Sequence, residues 1–303
     1  MQSITIGTRG SKLALWQARW VQKQLNTLGI KASITVIKTT GDRITDVGLS
    51  ALGAQSSSKG IFIKEIEEAL LDGKIDLAVH SLKDIPTEID TRLSISVIPK
   101  RADPRDVLVG RSLNKLCHGD RVGTSSLRRA AQMKHLRPDV EILEIRGNVD
   151  TRLKKLDDNQ YDSILLAAAG LHRLDLESRI ADILESDVMI PAVGQGALAI
   201  ETRSDSDELL ALLRPIHDTE TEKMVTAERA LLAAFGGGCH VPLGAHAVLK
   251  NNILTLNAVA VSPDGKLVIR ARRSSKPSQA QSLGQKTAEQ LLSRGARKII
   301  DSL

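Results

Sequence analysis

The sequence predicts two α/β lobes followed by a smaller α+β domain, and three observations lead to this expectation. Strand and helix patterns alternate over roughly the first hundred residues, and the alternation begins again beyond Pro99 and Pro104. After about residue 218 the pattern changes to a helix, consecutive strands and a final helix. We therefore expect a first lobe of residues 1–99 with 197–217, a second lobe of residues 103–190 and a C-terminal domain of residues 219–303.

The first lobe begins with a strand over residues 3–8 and a helix that Ser11 can cap. Leu13, Trp16 and Trp20 recur on one face of that helix. The other segments with a regular pattern are strands over 32–37, 76–80 and 94–98 and a helix over 61–71. Such alternation is typical of an α/β unit with a largely parallel sheet.

The second lobe repeats this alternation after the two prolines, which mark a hinge. Its predicted elements are strands over 105–110, 120–123, 140–145 and 163–168 and helices over 125–135 and 149–156. A further strand over 197–201 is expected to return to the first sheet. Two lobes joined in this way leave a cleft, and ligands commonly bind α/β sheets beyond the carboxyl ends of their strands.

The C-terminal domain carries an α+β pattern. It is predicted to contain a helix over 221–235, strands over 241–248, 253–261 and 267–273, and a closing helix from Ser278. Between residues 39 and 60 lies a polar stretch with little periodicity. A stretch of this length fits either a mobile lid or a tolerated surface insertion.

Composition narrows the class of function. The 303 residues carry a net charge of +6, but aromatic residues make up only 2 % of the chain, so platforms for stacking bases are nearly absent. The basic residues stand out only in short motifs, which favours an anionic small molecule over nucleic acid, although a merely basic surface would give the same charge. Neither a secretory signal nor an apolar run long enough for a membrane span is evident.

The two cysteines, Cys117 and Cys239, match neither a disulfide scaffold nor a zinc-ligand pattern. We therefore expect no metal and a reducing, cytoplasmic setting. Cys239 follows three glycines and precedes His240, so its thiol can be presented on an exposed loop beside an imidazole that favours thiolate. A buried apolar role is the alternative for a lone cysteine.

Two motifs of the first lobe follow predicted strands. Arg9 and Ser11 lie where the first strand enters its helix, a place that suits an anion or an ordinary helix cap. Lys83 and Asp84 follow the strand over 76–80, where a carboxylate can exchange protons or stabilise a developing cation. A surface Lys–Asp pair in a turn would fit the same residues.

Two arginine-rich motifs of the second lobe, GTSSLRR and RGNVDTR, each lie where a strand should enter a helix. Arginine binds carboxylates in two-point fashion, and such turns line one edge of a sheet, so together they indicate an anion site rather than surface arginines kept for solubility. The residues concerned are Thr124, Ser125, Ser126, Arg128, Arg129, Arg146 and Arg152.

Taken together, these motifs resemble the hydroxymethylbilane synthase (porphobilinogen deaminase) family from about Ile4 to the carboxyl terminus. The order and spacing of the matching segments over the whole chain make the resemblance specific. In chain order they are TRGSKLALWQ, KGIFIKEIE, DLAVHSLKDIP, DPRD, VGTSSLRR, RGNVDTRL, PAVGQGA, TAERA and GGGCHVPLGAHA.

The resemblance implies two lobes similar to periplasmic binding proteins, a C-terminal α+β domain and a monomer. It implies a dipyrromethane cofactor joined through a thioether to Cys239. On this primer, four porphobilinogen molecules condense head to tail with loss of ammonia, and water then releases hydroxymethylbilane for porphyrin and haem biosynthesis. The acetate and propionate groups of each pyrrole would explain the arginines.

The resemblance also assigns roles to individual residues, with Asp84 as the catalytic group and no metal. Cofactor binding falls to Cys239, Lys83, Asp84, Thr124, Ser125, Ser126, Arg128, Arg129 and Arg146. Substrate binding falls to Arg9, Ser11, Lys59, Ser81, Arg146, Arg152, Arg173 and Gln195.

The sequence departs from the family pattern in two places that bear on function. In LSALGAQSSSKG, Ala51 replaces a lysine found in many relatives and the stretch before Lys59 is longer, which affects a substrate contact and the lid. His240 follows the cofactor cysteine where other polar residues are common, and we expect it to tune the thiol. A non-catalytic anion-binding protein would explain the lobes and arginines but leaves Asp84 and Cys239 without a role.

Overall fold

The computed structural model describes residues 3–40, 63–236 and 242–301. The chain divides into two compact units, of which the first comprises Met1–Arg101 with Ala197–Thr221. The second comprises Ala102–Gly196 with Glu222–Leu303. The return of the chain to the first unit near residue 197 follows the predicted course, whereas the three-domain division stays a prediction.

Strands and helices alternate in the first part of each unit, as the sequence predicts. Up to residue 97 the described elements are β1 Ile4–Thr8, α1 Lys12–Thr27, β2 Ala32–Val36, α2 Lys64–Leu71, β3 Leu77–Ser81 and β4 Leu93–Val97. From 102 to 196 they are β5 Asp106–Gly110, β6 Arg121–Gly123, α3 Leu127–Leu136, β7 Glu141–Leu143, α4 Val149–Asp157, β8 Ser163–Ala167, α5 Ala168–His172 and β9 Ile180–Leu184.

The remaining elements complete the first unit and build the C-terminal part of the second. They are β10 Leu198–Arg203, α6 Asp207–Leu213, α7 Thr219–Ala234, β11 Leu243–Lys250, β12 Ile253–Val261, β13 Val268–Ser275, α8 Ala280–Leu291 and α9 Arg297–Ile300. None of the helices in the described ranges has the length and apolar character that a membrane span requires.

Each unit contains a five-stranded mixed sheet rather than the largely parallel one that the alternation predicts. The strand orders are β2-β1-β3-β10-β4 and β7-β6-β8-β5-β9. The first three strands of each order are parallel, because helical crossovers return the chain to the same starting edge. The fourth strand of each order is β10 in the first sheet and β5 in the second. Each follows a segment of chain that belongs to the other unit, and each runs antiparallel to both of its neighbours.

The cores lie on the faces of these sheets. In the first unit, α1 buries Ala18, Val21 and Leu25 against the strands. In the second, apolar clusters cover both sheet faces. The antiparallel sheet β11-β12-β13 packs one face on α8, and Val259 on its other face contacts Ala131 of α3. Helix α3, which bears the arginines of the second lobe, is thereby held on two sides.

Candidate active site

The carboxyl edge of the first sheet brings two of the predicted motifs together. Because β1 and β3 are parallel neighbours, with Ile6 opposite Leu77, the residues that follow them lie at the same edge. A pocket at this edge is lined in part by Arg9, Ser11 and Asp84. The structure therefore groups the β1–α1 turn with the segment after β3, as the sequence analysis expects.

Two hydrogen bonds order the floor of this pocket. Ser11 caps α1, and its Oγ accepts from the backbone N–H of Ala14 at 3.2 Å. The buried side chain of Gln17 donates from Nε2 to Oγ of Ser81 at 2.8 Å. Gln17 closes the quoted motif TRGSKLALWQ, but sequence reasoning gave it no role; its place on the buried face of the capped helix was the available signal.

Asp84 is exposed at the end of a short 3₁₀ turn, Leu82–Asp84. The turn is fixed from below because Leu82 and Ile85 are each only 1 % exposed. The N–H of Leu82 also donates to the carbonyl of Ala197 at 3.0 Å. A carboxylate is thus presented at the pocket by a rigid apolar base, with the half-buried Lys83 beside it in the chain.

A buried acid–imidazole pair lies immediately before this turn. Nε2 of His80 is 3.1 Å from Oε2 of Glu201, and both side chains are buried. Burial, followed by the charge of Glu201, raises the pKa of Glu67 on α2. No sequence motif predicted this pair; the available signal was a glutamate inside the apolar strand β10.

In the second unit, Arg128 and Arg129 are buried around one carboxylate, that of Asp106. Nη1 of Arg128 donates to Oδ2 of Asp106 at 2.6 Å, and Nε of Arg129 donates to Oδ1 at 2.9 Å. Burial alone would raise the pKa of Asp106, but the charges of the two arginines hold that pKa well below its usual range. Asp106 ends the quoted segment DPRD, so the motif was seen but not its part in holding the arginines.

This buried cluster has unequal charge, since two guanidinium groups face one carboxylate. Within the described residues, the buried Nε of Arg128 has no hydrogen-bond partner. Buried polar groups are nearly always hydrogen-bonded, and a buried unpaired charge is costly. Both features are what a site for an additional anion requires.

Gln195 and Arg173 adjoin the cluster. Nε2 of Gln195 donates to Oδ1 of Asp106 at 2.9 Å and to the carbonyl of Pro104 at 2.7 Å. Arg173 donates to the carbonyl of Gly196 at 2.8 Å, and burial lowers its pKa to about 10.

Arg152 is also held at a backbone carbonyl. Its Nε donates to the carbonyl of Gly147 at 2.7 Å. Burial and, next, the charge of Arg129 lower the pKa of Arg152 to about 10. A guanidinium whose charged form is disfavoured in this way gains from any anion that binds near it.

The other predicted residues of these turns range from the buried Thr124 to the exposed Ser125 and Arg146. Oγ of Ser126 caps α3 by accepting from the N–H of Arg129 at 3.5 Å, and Oγ1 of Thr124 accepts from the N–H of Ser126 at 3.2 Å. Ser125 is exposed. Arg146 is exposed as well, and its Nε donates to Glu144 at 2.7 Å.

Four residues singled out in the sequence lie outside the described ranges: Ala51, Lys59, Cys239 and His240.

Comparison with known proteins gives a consistent result over the whole chain. The family model described as porphobilinogen deaminase, dipyromethane cofactor binding domain, matches residues 4–211. The model described as porphobilinogen deaminase, C-terminal domain, matches residues 223–293.

The chain is similar over nearly its full length to proteins named porphobilinogen deaminase. That of Syntrophotalea carbinolica is 50 % identical over 306 residues, covering 99 % of this chain and 96 % of the relative. That of Roseiflexus castenholzii is 50 % identical over 303 residues, covering 98 % of each chain. Among solved structures, the VFT2 domain of Bordetella pertussis BvgS aligns with a TM-score of 0.41 and 13 % identity, covering 70 % of this chain and 85 % of that chain.

Proposed function

The chain belongs to the porphobilinogen deaminase family, and from this premise we propose that it condenses porphobilinogen on a dipyrromethane primer attached to Cys239. It is a transferase that joins four substrate molecules head to tail with loss of ammonia. Water then releases hydroxymethylbilane. The observation that carries the proposal is the buried arginine cluster around Asp106, with its excess of positive charge.

The residues present fit a dipyrromethane group. Its acetate and propionate side chains are carboxylates, which arginine binds in two-point fashion. Arg128 supplies a buried Nε without a partner in the described residues, and Arg128 and Arg129 together carry one charge more than Asp106 compensates. When bound, the group supplies a nucleophilic pyrrole carbon for chain extension. Lys83, Thr124, Ser125, Ser126 and Arg146 are the further residues that we assign to holding it.

The assigned role of Asp84 follows from its place at the carboxyl edge of the first sheet. Loss of ammonia from porphobilinogen leaves positive charge on the pyrrole, and a nearby carboxylate stabilises that charge. The same oxygen atoms can accept the pyrrole N–H and hold a proton between steps. Asp84 suits both tasks because it is exposed at the pocket while Leu82 and Ile85 fix the turn beneath it.

Substrate carboxylates are assigned to basic and polar groups in both units. Arg9, Ser11 and Ser81 line the pocket that contains Asp84, which supports their assignment. In the second unit, burial lowers the pKa values of Arg152 and Arg173, and this supports their assignment because a bound anion would stabilise their charged forms. The full set assigned to substrate is Arg9, Ser11, Lys59, Ser81, Arg146, Arg152, Arg173 and Gln195.

The intact mass of the denatured protein tests the proposal. We expect an excess equal to two linked pyrrole units in the wild type and none in Cys239→Ser. Cys117→Ser is the matched control, since Cys117 is an exposed free thiol that should not carry the primer. An unmodified wild type that acquires neither adduct nor ammonia-releasing activity on incubation with porphobilinogen would overturn the assignment. A cytoplasmic location and a monomeric state stay predictions.

A further inference from the structure

Residues 190–196, which we call the strap, run without regular secondary structure between β9 and β10. The carboxyl end of the strap contributes Gln195 and Gly196 to the cluster of buried arginines around Asp106. Gln195 donates to Asp106 at 2.9 Å and accepts from Arg129 at 3.4 Å. The carbonyl of Gly196 accepts from Arg173 at 2.8 Å. The position of the strap therefore affects three residues assigned to anion binding, namely Arg129, Arg173 and Gln195.

Gln132 of α3 holds the amino end of the strap with both polar atoms of its amide. Its Nε2 donates to the carbonyl of Ile190 at 3.0 Å, and its Oε1 accepts from the N–H of Ile190 at 2.8 Å. The side chain is only 3 % exposed. A two-point contact of this kind fixes both the position and the orientation of the peptide groups that it binds.

The carbonyl of Ile190 is shared with the arginine cluster, because Nη1 of Arg128 also donates to it at 2.8 Å. Gln132 lies one turn after Arg128 on the same buried face of α3. By fixing that carbonyl, the amide of Gln132 determines where one N–H group of Arg128 is engaged. It therefore acts on Arg128 directly as well as on the strap.

Two further contacts hold the strap from the C-terminal part of the same unit. The N–H of Ala245 on β11 donates to the carbonyl of Pro191 at 2.9 Å. The N–H of Gly194 donates to Glu228 of α7 at 2.7 Å, and Glu228 also accepts from the N–H of Ala247 at 2.8 Å. The strap is thus fixed to the part of the chain that contains Cys239, and Gln132 joins it to the arginine-bearing helix.

We propose that Gln132 is a positioning residue for the anion site: its amide sets the strap and Arg128 in the arrangement that receives the carboxylates of primer and substrate. This inference rests on the proposed function. It assigns Gln132 no contact with substrate. Its effect is transmitted through Ile190 to Arg128, and along the strap to Gln195 and Gly196.

The test compares Gln132→Met with Thr287→Val. Methionine has nearly the length of glutamine but can make neither bond to Ile190. Thr287 is a matched control, because it is fully buried in the same unit and its hydroxyl donates within its own helix, to the carbonyl of Leu283 at 2.7 Å. Thermal unfolding measures the loss of stability in each variant. Intact mass measures how fast each apoprotein acquires the primer from porphobilinogen.

We expect Gln132→Met to acquire the primer about tenfold to 10²-fold more slowly than Thr287→Val at equal loss of stability, since a misplacement of about 1 Å can cost about 10²-fold in rate. In the primer-loaded form, KM for porphobilinogen should rise by a similar factor while kcat changes little. Equal primer acquisition and equal KM in the two variants would overturn the inference. If the methionine variant does not fold, Gln132→Asn, whose shorter amide cannot hold both groups of Ile190, is judged by the same criteria. Failure of the wild type itself to acquire primer or release ammonia would count against the proposed function instead.

Discussion

Single buried side chains decide how this protein presents positive charge. Asp106 orients two guanidinium groups at once, so their free N–H groups have defined directions before any anion arrives. Such preorganisation lowers the cost of binding, because the arginine side chains lose little further freedom. The same arrangement places excess charge in the interior, which favours an anionic ligand over water. Structure and function are therefore coupled at Asp106.

Replacement of Asp106 by asparagine should destabilise the fold strongly. Loss of one member of a buried ion pair typically costs about 3–5 kcal/mol, because the partner charge is left uncompensated. Urea unfolding at neutral pH measures the loss. Asp139→Asn is the control, since Asp139 pairs with Arg137 in the same unit, where both side chains are only half-buried and water partly screens the pair. Equal losses in the two variants would contradict the special role of Asp106.

The lowered pKa of Asp106 also predicts how the free energy of unfolding changes with pH. The pKa of Asp106 in the folded protein is below its unfolded value of about 3.9, so its contribution to stability is fully present above that value. The contribution is lost as the pH falls toward the folded pKa. Unfolding free energy measured from about pH 5 downward should therefore decline more steeply in the wild type than in Asp106→Asn. Parallel curves would contradict this sign.

Asp84 should affect turnover and not stability. Asp84→Asn keeps the size of the side chain at an exposed position but removes its charge and its capacity to hold a proton. We expect kcat to fall by about 10²-fold to 10⁴-fold, the usual contribution of a positioned acid or base. The primer should remain detectable by mass. Glu88→Gln, another exposed acid in the same unit, is the control and should be fully active; an active Asp84→Asn enzyme would refute the assignment.

At the scale of elements, periodicity predicted most strands and helices to within a few residues. The strand over 253–261 was predicted with the bounds that the structure gives. Strand β9, with the sequence IADIL at a sheet edge, was missed because it is short, largely half-exposed and interrupted by Asp182. The closing helix was predicted as continuous, but Gly295 with φ of 101° interrupts it. A local conformation of that kind is set by packing and leaves no periodic signal.

The mixed sheets and the residue pairs could not be predicted in the same way. Strand direction depends on where the chain re-enters a sheet, and local pattern carries no such information. Asp106 meets Gln195 across 89 residues, and His80 meets Glu201 across 121. The capping role of Ser11, by contrast, was predicted and confirmed, because its partner Ala14 lies within one helical turn. Local chemistry was thus accessible from the sequence, and distant pairing was not.

At the scale of the whole molecule, the net charge of +6 and the scarcity of aromatic residues agree with an anionic substrate of small size. The structure qualifies the expectation that the arginine motifs are open to ligands. Arg128 and Arg129 are buried and share an internal carboxylate, whereas Arg146 remains exposed beside Glu144. Arginines that can bind an anion therefore lie both in the interior and at the surface. Salt should weaken the interactions of the exposed arginines more than those of the buried ones.

Ionic strength should raise KM for porphobilinogen in the wild type with little effect on kcat. The screening length falls from about 10 Å at 0.1 M salt to about 3 Å at 1 M, so exposed arginines attract the substrate carboxylates less. Buried pairs are screened much less, and primer retention by mass should not change. Arg146→Gln should reduce the salt dependence because it removes an exposed charge, while sucrose in place of salt controls for viscosity. A KM that is independent of salt would mean that the interior arginines alone receive the substrate.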